Sequence, residues 1–290
     1  MDSISLTILL LLSGLISGFI FIYRKKMTLA SMTESAESTA PALSLFLSTA
    51  IMSSLISLPL ILGLKFHWPS TNTWILSVVS AAIYALSQVL GYKAYETADA
   101  SSVGLIHRLS LVGSALLGIW FLHEQYVLTS WIGLGCIVVS ILLLGIDGTK
   151  WKFSVGERWA VLMALTSSIA AVMDKVILHD MNAFAYVFIN SILTVIVCAA
   201  RPKIFIQVKQ LYQTQFRLIL ITSLLAVGSW IFFLVALQAG DISKVIPIYK
   251  GLGVVVPVLL GILWLKEYDR WWQKLIAVGL SVVGMILLIK

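Results

Sequence analysis

The stretch Ala94-Tyr95-Glu96-Thr97-Ala98-Asp99-Ala100-Ser101-Ser102-Val103 is written again, loosely, between Ala236 and Val245. Ala94, Asp99, Ser101 and Val103 recur as Ala236, Asp241, Ser243 and Val245 at a constant offset of 142. Further along, Gly118, Leu122 and Glu124 recur as Gly261, Leu265 and Glu267, and Gly135 and Val139 as Gly279 and Val283, with the offset growing to 143 and then 144. A match this long is a duplication. Long apolar runs separate the matched residues, so the repeated unit reads as a bundle of membrane helices, a construction common among secondary transporters.

Composition points the same way. Of the 290 residues, 60% are apolar and 11% charged, against about 25% charged in an average soluble domain. A spanning helix needs about 20 mostly apolar residues. Segments of that kind, bounded by charge, proline or polar turns, are 5–23, 41–64, 72–92, 100–122 and 126–146 in the first half, and 159–178, 182–200, 217–238, 242–265 and 271–289 in the second. The expected fold is all-α and integral to the membrane: ten transmembrane helices in two five-helix repeats, 5–146 and 159–289.

The first apolar segment follows Asp2 and runs straight into Arg24-Lys25-Lys26 without a small-residue cleavage site, so it reads as a retained helix and not a leader. Cys136 and Cys198 fall inside spans without a companion Cys or His at ligand spacing, and read as small buried residues. The net charge of +7 comes from basic residues at helix ends, a topological pattern and not a nucleic-acid surface. The connections after spans 1, 5, 7 and 9 hold thirteen Lys and Arg residues, and the opposite side only Lys65 and Lys290. The positive-inside rule makes those four connections cytoplasmic and puts both termini outside. Because five is odd, the second repeat enters the membrane from the other side, so the halves are inverted and enclose a site near the midplane.

Several features have plain readings. Residues 31–40 suit a flexible linker. Ile204, Val208 and Leu211 at helical spacing suit an amphipathic segment on the cytoplasmic interface. Trp68, Trp74, Trp151, Trp159, Trp271 and Trp272 stand at span ends, as interfacial aromatics do. Lys93, Asp174 and Lys175 also lie near span ends, where an interfacial position is expected, and Glu124 and Glu267 are expected to pin tight turns.

In each half a helix leads into a short turn carrying Glu and then a Gly-rich closing helix: Leu117-Gly118 through Leu122-His123-Glu124 with Gly133 and Gly135, and Leu260-Gly261 through Leu265-Lys266-Glu267 with Gly279 and Gly284. This doubled pattern resembles the drug/metabolite transporter superfamily, in particular its ten-helix EamA-type members. The resemblance implies a carrier of metabolites, amino acids, nucleotide sugars, sugar phosphates or drugs. It also implies cytoplasmic termini, opposite to the charge bias. The ninth span carries Pro247 and Pro257 where the fourth has no proline, so the halves are not expected to bend alike; these prolines are the candidate gating residues.

The costliest residues to bury are His107 and Arg108 in the fourth span and Lys250 in the ninth, which map onto one another at offsets of 143 and 142. An Arg or Lys at mid-bilayer costs about 2.5–3.5 kcal/mol. One reading places them in a water-accessible cavity facing a carboxylate or phosphate; sugar-phosphate and nucleotide-sugar carriers of the superfamily are similar in placing basic residues in these two helices. The other has Arg108 and Lys250 snorkel, or pair with Asp99, Glu96 or Asp241. Around them Tyr84, Ser87, Gln88, Ser229, Trp230 and Tyr249 are candidate substrate contacts, with helix-to-helix hydrogen bonding as the alternative; Ser87 and Ser229 are equivalents at offset 142. Gly14 and Gly18 form a helix-packing Gly-x-x-x-Gly.

The first span lacks the glutamate of a small multidrug cation–proton exchanger, and no phosphate-binding loop, zinc motif or catalytic triad is present. These observations point to a non-enzymatic secondary carrier for a small anionic or zwitterionic metabolite, with no cofactor or metal. Its partners are a small molecule and membrane lipid, not nucleic acid, in a monomer or homodimer in the plasma (bacterial inner) membrane. A membrane-embedded lipid-handling protein or enzyme engaging a lipid phosphate is the alternative.

Overall fold

A computed structural model describes residues 3–33, 42–62, 68–122, 126–144, 146–147, 150–151, 153–199, 204–240 and 242–289. The helices are α1 (Ser3–Thr33), α2 (Ala42–Ile61), α3 (Thr71–Thr97), α4 (Ala100–Ile106), α5 (Leu109–Leu122), α6 (Leu128–Leu144), α7 (Val155–Ile177), α8 (Ala183–Cys198), α9 (Ile204–Ala239), α10 (Ile242–Leu263) and α11 (Trp271–Ile289). Between α6 and α7, β1 (Ile146–Asp147) and β2 (Lys150–Trp151) pair in a minimal antiparallel hairpin. With α4 and α5 counted as one broken segment, five helical segments precede the hairpin and five follow. Among the described residues, seven helices are long and apolar enough to cross a membrane, and α6 and α8 are shorter apolar helices. The fold is an all-α membrane bundle.

Local chemistry sets the helix starts. Ser70 accepts from the Thr73 amide to cap α3, Ser154 and Glu157 form a reciprocal capping box on α7, and Asn182 caps α8. Three boundaries differ from the sequence expectation. α1 continues ten residues past Tyr23 to Thr33, carrying Arg24 and Lys25 into the bundle instead of a loop. The fourth span breaks at His107 and Arg108. The segment from Ile204 joins α9 through a kink at Gln215 (φ −123°, ψ 23°), and its stripe of Ile204, Val208 and Leu211 is buried against α1 and α2 instead of facing lipid. The proposed linker after Thr33, together with Glu124 and Asp241, lies outside the described residues.

Helix pairing exchanges the two halves. α3 packs on α7 as α9 packs on α1; α10 lies on α1 as α4 and α5 lie on α7; α2 meets α8, and α6 meets α11. Individual bonds obey the same exchange. Ser87 Oγ donates to the Met163 carbonyl at 3.1 Å, and Ser229 Oγ to the Ser13 carbonyl at 2.9 Å. Lys25 Nζ donates to the Tyr95 and Ala98 carbonyls at 2.8 Å each, ending α3; Lys175 Nζ donates to the Leu237 and Gly240 carbonyls at 2.8 and 2.7 Å, ending α9. The seam between α6 and α11 is antiparallel: Ser140 and Ser281 hydroxyls are 2.7 Å apart, and earlier on α6, Gly133 abuts Gly284 and Leu288. A methyl group on Gly133 would lie 2.5 Å from the Gly284 carbonyl oxygen, so only glycine permits this approach.

One end of the bundle is tied by charge. Glu267 accepts from the Ala100 and Ser101 amides at 2.8 and 3.0 Å and from the Ser101 hydroxyl at 2.5 Å, satisfying the orphan donors at the start of α4. Lys274, almost fully buried, pairs with Asp99 at 2.6 Å. The Asp99 carboxylate is therefore committed to Lys274, not to Arg108 or Lys250. Apolar residues such as Leu55, Trp120, Phe121 and Leu128 form the exposed perimeter, the surface a bilayer would cover.

Candidate functional site

Between the two halves lies a cavity with about 140 Å³ of space for water, adjoined by a smaller one of about 30 Å³; Arg24, Tyr84, Ala226 and Trp230 border both. α1, α3, α7, α9 and α10 supply the wall of the larger one, together with His107 from the turn between α4 and α5. These are the helices that the exchange of halves brings face to face.

The turn is built by short-range bonding. The amides of Arg108, Ser110 and Leu111 each bond three residues back, to Leu105, His107 and Arg108, which tightens the helix into a 3₁₀-like turn. Ser110 Oγ donates to the His107 carbonyl at 2.6 Å, occupying the acceptor that a continuing helix would use. The rotation aims His107 at the cavity, where its Nε2 is 3.0 Å from Ser167 Oγ and its ring lies 5.7 Å from Phe21. Arg108 turns the other way. It is buried beside Gly253 and does not border either cavity. Across from the turn, the Lys250 ammonium reaches the larger cavity and donates to Ser110 Oγ, tying α10 to α5.

Tyr84, Gln88, Ser229, Trp230 and Tyr249 also border the larger cavity. Tyr84 and Trp230 stack with centroids 5.3 Å apart and planes 2° from parallel, making a flat aromatic wall between the two spaces. Tyr249 lies against Phe233 at 4.5 Å. Ser229 is engaged with Ser13, and Ser87, bonded to Met163, does not border the cavities. The Pro257 ring seats in a notch at Gly104, where a methyl group would come within 2.8 Å of it. α10 runs unbroken through Pro247 and Pro257.

Two cavity residues lie away from where the sequence pattern points. Arg24, expected in a cytoplasmic loop, borders the cavity; its guanidinium lies 5.6 Å above the Tyr92 ring, and its Nε is buried without a hydrogen-bond partner. Asp174, expected at a membrane interface, is buried and accepts from Tyr186 Oη at 2.6 Å and Ser80 Oγ at 3.4 Å. The two occupy equivalent places: Lys25 and Lys175 perform the same capping at an offset of 150, and Arg24 and Asp174 precede them. Carrying the repeat into the first helix of each half would have found both.

The cavity thus gathers cationic Arg24 and Lys250, a histidine, one carboxyl group, the buried and unpaired Gln88 Oε1, and an aromatic wall. Such a surface suits a small polar molecule with a negative group.

A protein from Sinorhizobium sp described as an uncharacterized transporter in the cobO 3' region is 32% identical over 75 residues, covering 26% of this chain and 53% of that one, about half its length. A protein crystal structure superposes with a TM-score of 0.57 at 17% identity over 95% of this chain and 98% of its own, a likeness of fold alone. The EamA-like transporter family matches twice, over residues 4–146 and 154–290, one match to each half that the packing exchanges; the chain belongs to the EamA-like transporter family.

Proposed function

We propose that this membrane transporter is a secondary carrier for a small anionic or zwitterionic metabolite such as an amino acid, organic acid or phosphorylated compound, and that it works by alternating access. The halves 5–146 and 159–289 rock against each other around the cavity, in the plasma membrane, as a monomer or homodimer. The observation that carries the reading is the meeting of Lys250, Arg24 and His107 at one cavity between exchangeable halves. Burying such cations is costly unless a negative partner repays part of the penalty, and among the described residues neither Lys250 nor Arg24 forms an ion pair. The Tyr84–Trp230 stack supports an organic cargo that lays an apolar face on it. Pro247 and Pro257 are assigned the bending of α10 as access changes.

The test is flux in liposomes containing the purified protein, using labelled L-alanine, L-glutamate and glycerol 3-phosphate as probes. Saturable exchange of at least one, absent from protein-free vesicles, is expected. Phospholipid turnover without flux of any probe would overturn the carrier reading in favour of a lipid-handling protein.

A further inference from the structure

Asp174 is the acidic residue among the described residues that line the two cavities, and it is only 7% exposed. Its surroundings are ordered in one direction. Thr194 Oγ1 donates to Asn190 Oδ1 at 3.3 Å, Asn190 Nδ2 donates to Tyr186 Oη at 3.1 Å, and Tyr186 Oη donates to Asp174 Oδ1 at 2.6 Å. The Tyr186 oxygen also lies 3.0 Å from the Ser80 hydroxyl, so Asn190, Ser80, Tyr186 and Asp174 form one connected network. The Ser80 hydroxyl approaches the same oxygen, so this cluster leaves Oδ2 outside it. The chain begins at Thr194 on the smaller cavity and ends at Asp174 on the larger one.

The groups around this carboxyl are Tyr84 and Ser80 from α3, Tyr186 from α8, the Trp230 indole from α9, and Lys175 on its own helix. Arg24, His107, Tyr249 and Lys250 face the same cavity. Lys175 holds the end of α9, and among the described residues no Lys or Arg forms an ion pair with Asp174. An ionised carboxylate here also repels any negative group that Arg24 and Lys250 attract. Protonation removes that repulsion, so proton and anionic cargo favour each other's binding.

We propose that Asp174 is a proton-binding site through which the carrier couples cargo to a proton gradient as a symporter. Its carboxylate takes one proton from cavity water on one side of the membrane and returns it to water on the other, with no other bond made or broken. This rests on the carrier reading above.

Two measurements test it. In the first, infrared difference spectra of the full-length protein in liposomes are recorded across a pH titration. A protonated-carboxyl band should disappear as pH rises, be absent in Asp174→Asn, and persist with a shifted midpoint in Asp174→Glu; an unchanged band in a folded Asp174→Asn protein overturns the proposal. In the second, an acidic exterior should drive the probe that the wild type carries above its equilibrium level inside, and a protonophore should abolish this. Asp174→Asn should accumulate none, and whatever downhill exchange it retains should no longer change with pH. Gradient-driven accumulation by Asp174→Asn, or wild-type flux indifferent to the gradient, overturns the coupling. Should no probe cross the wild type, the carrier reading falls, while the infrared titration still decides the proton site.

Discussion

The segment from Ala100 to Leu122 and the segment from Ile242 to Leu263 descend from the same ancestral helix, and they have resolved the problem of a buried cation in opposite ways. The first has no proline and is broken at His107 and Arg108; the second has two prolines and is continuous. In the broken copy the turn divides its two basic residues, sending His107 to the cavity and Arg108 away from it. In the continuous copy Lys250 projects into the cavity and holds the hydroxyl of Ser110, the residue that stabilises the break in the other copy. Pro247 and Pro257 lie past the first turn of α10 and each removes an intrahelical amide donor, yet the helix continues through both. At the break, the Ser110 hydroxyl bonds the His107 carbonyl within the tightened turn. The two segments are complementary parts of one device, and changes in either should be felt in both.

The largest effect is expected from reversing the charge that the continuous copy supplies. Lys250→Glu should lower flux by about 100-fold, the scale of some 3 kcal/mol lost at a buried charge, while size-exclusion behaviour in detergent stays that of the wild type. Flux within a few fold of the wild type would remove Lys250 from the cargo site. Arg108→Glu sharpens the comparison, because the residue stands off the cavity: its cost should appear in thermal stability before it appears in substrate affinity.

Next in size is the contact where the copies touch. Gly104→Ala places a methyl group against the Pro257 ring and should destabilise the bundle by about 1–3 kcal/mol, read as a lower melting temperature in detergent. Adding Pro257→Ala should recover part of that loss, giving a coupling energy of about 1 kcal/mol in a double-mutant cycle. Strict additivity would mean that the notch does not hold the helices together.

Pro257→Ala alone should slow turnover several-fold while cargo affinity changes by less than about twofold, if α10 bends as proposed. Lost affinity with preserved turnover would assign the proline to shaping the site. The smallest effect is expected from Ser110→Ala, which removes one hydroxyl bonded at both ends and should cost about 1 kcal/mol in stability. It should also shift the pH dependence of flux by freeing the Lys250 ammonium. No shift would mean that the hydroxyl serves only the turn.

How far these features could be read from the sequence depended on what each residue leaves visible there. The duplication and the all-α membrane fold were legible because spans must be long and apolar and because Asp99, Ser101 and Glu267 cap or pair at helix ends, roles that tolerate few side chains. Lys250 was legible because a charge inside an apolar run stands out. Arg24 was hidden by its neighbours: a run of three basic residues reads as the end of a span, yet α1 continues to Thr33, and two of the three turn inward. Asp174 does lie near the end of α7, but depth along a helix does not reveal its covering, and Tyr186 on the next helix, α8, and Ser80 on distant α3 close over it. The break at His107 was invisible for a related reason, since no Gly or Pro follows the turn closely enough to signal it, and the serine hydroxyl that bonds there does the same inside unbroken helices.

Lys25 and Lys175 hold the ends of α3 and α9 on opposite faces of the bundle with the same pair of carbonyl contacts. A rocking motion that loosens one and tightens the other exchanges like for like. Under the proposed alternating access, these paired ends would give the two open forms matched carbonyl contacts. The unequal pairs in the cavity, Arg24 against Asp174 and Gln88 against Trp230, are then where the proposed carrier would differ between its two open forms.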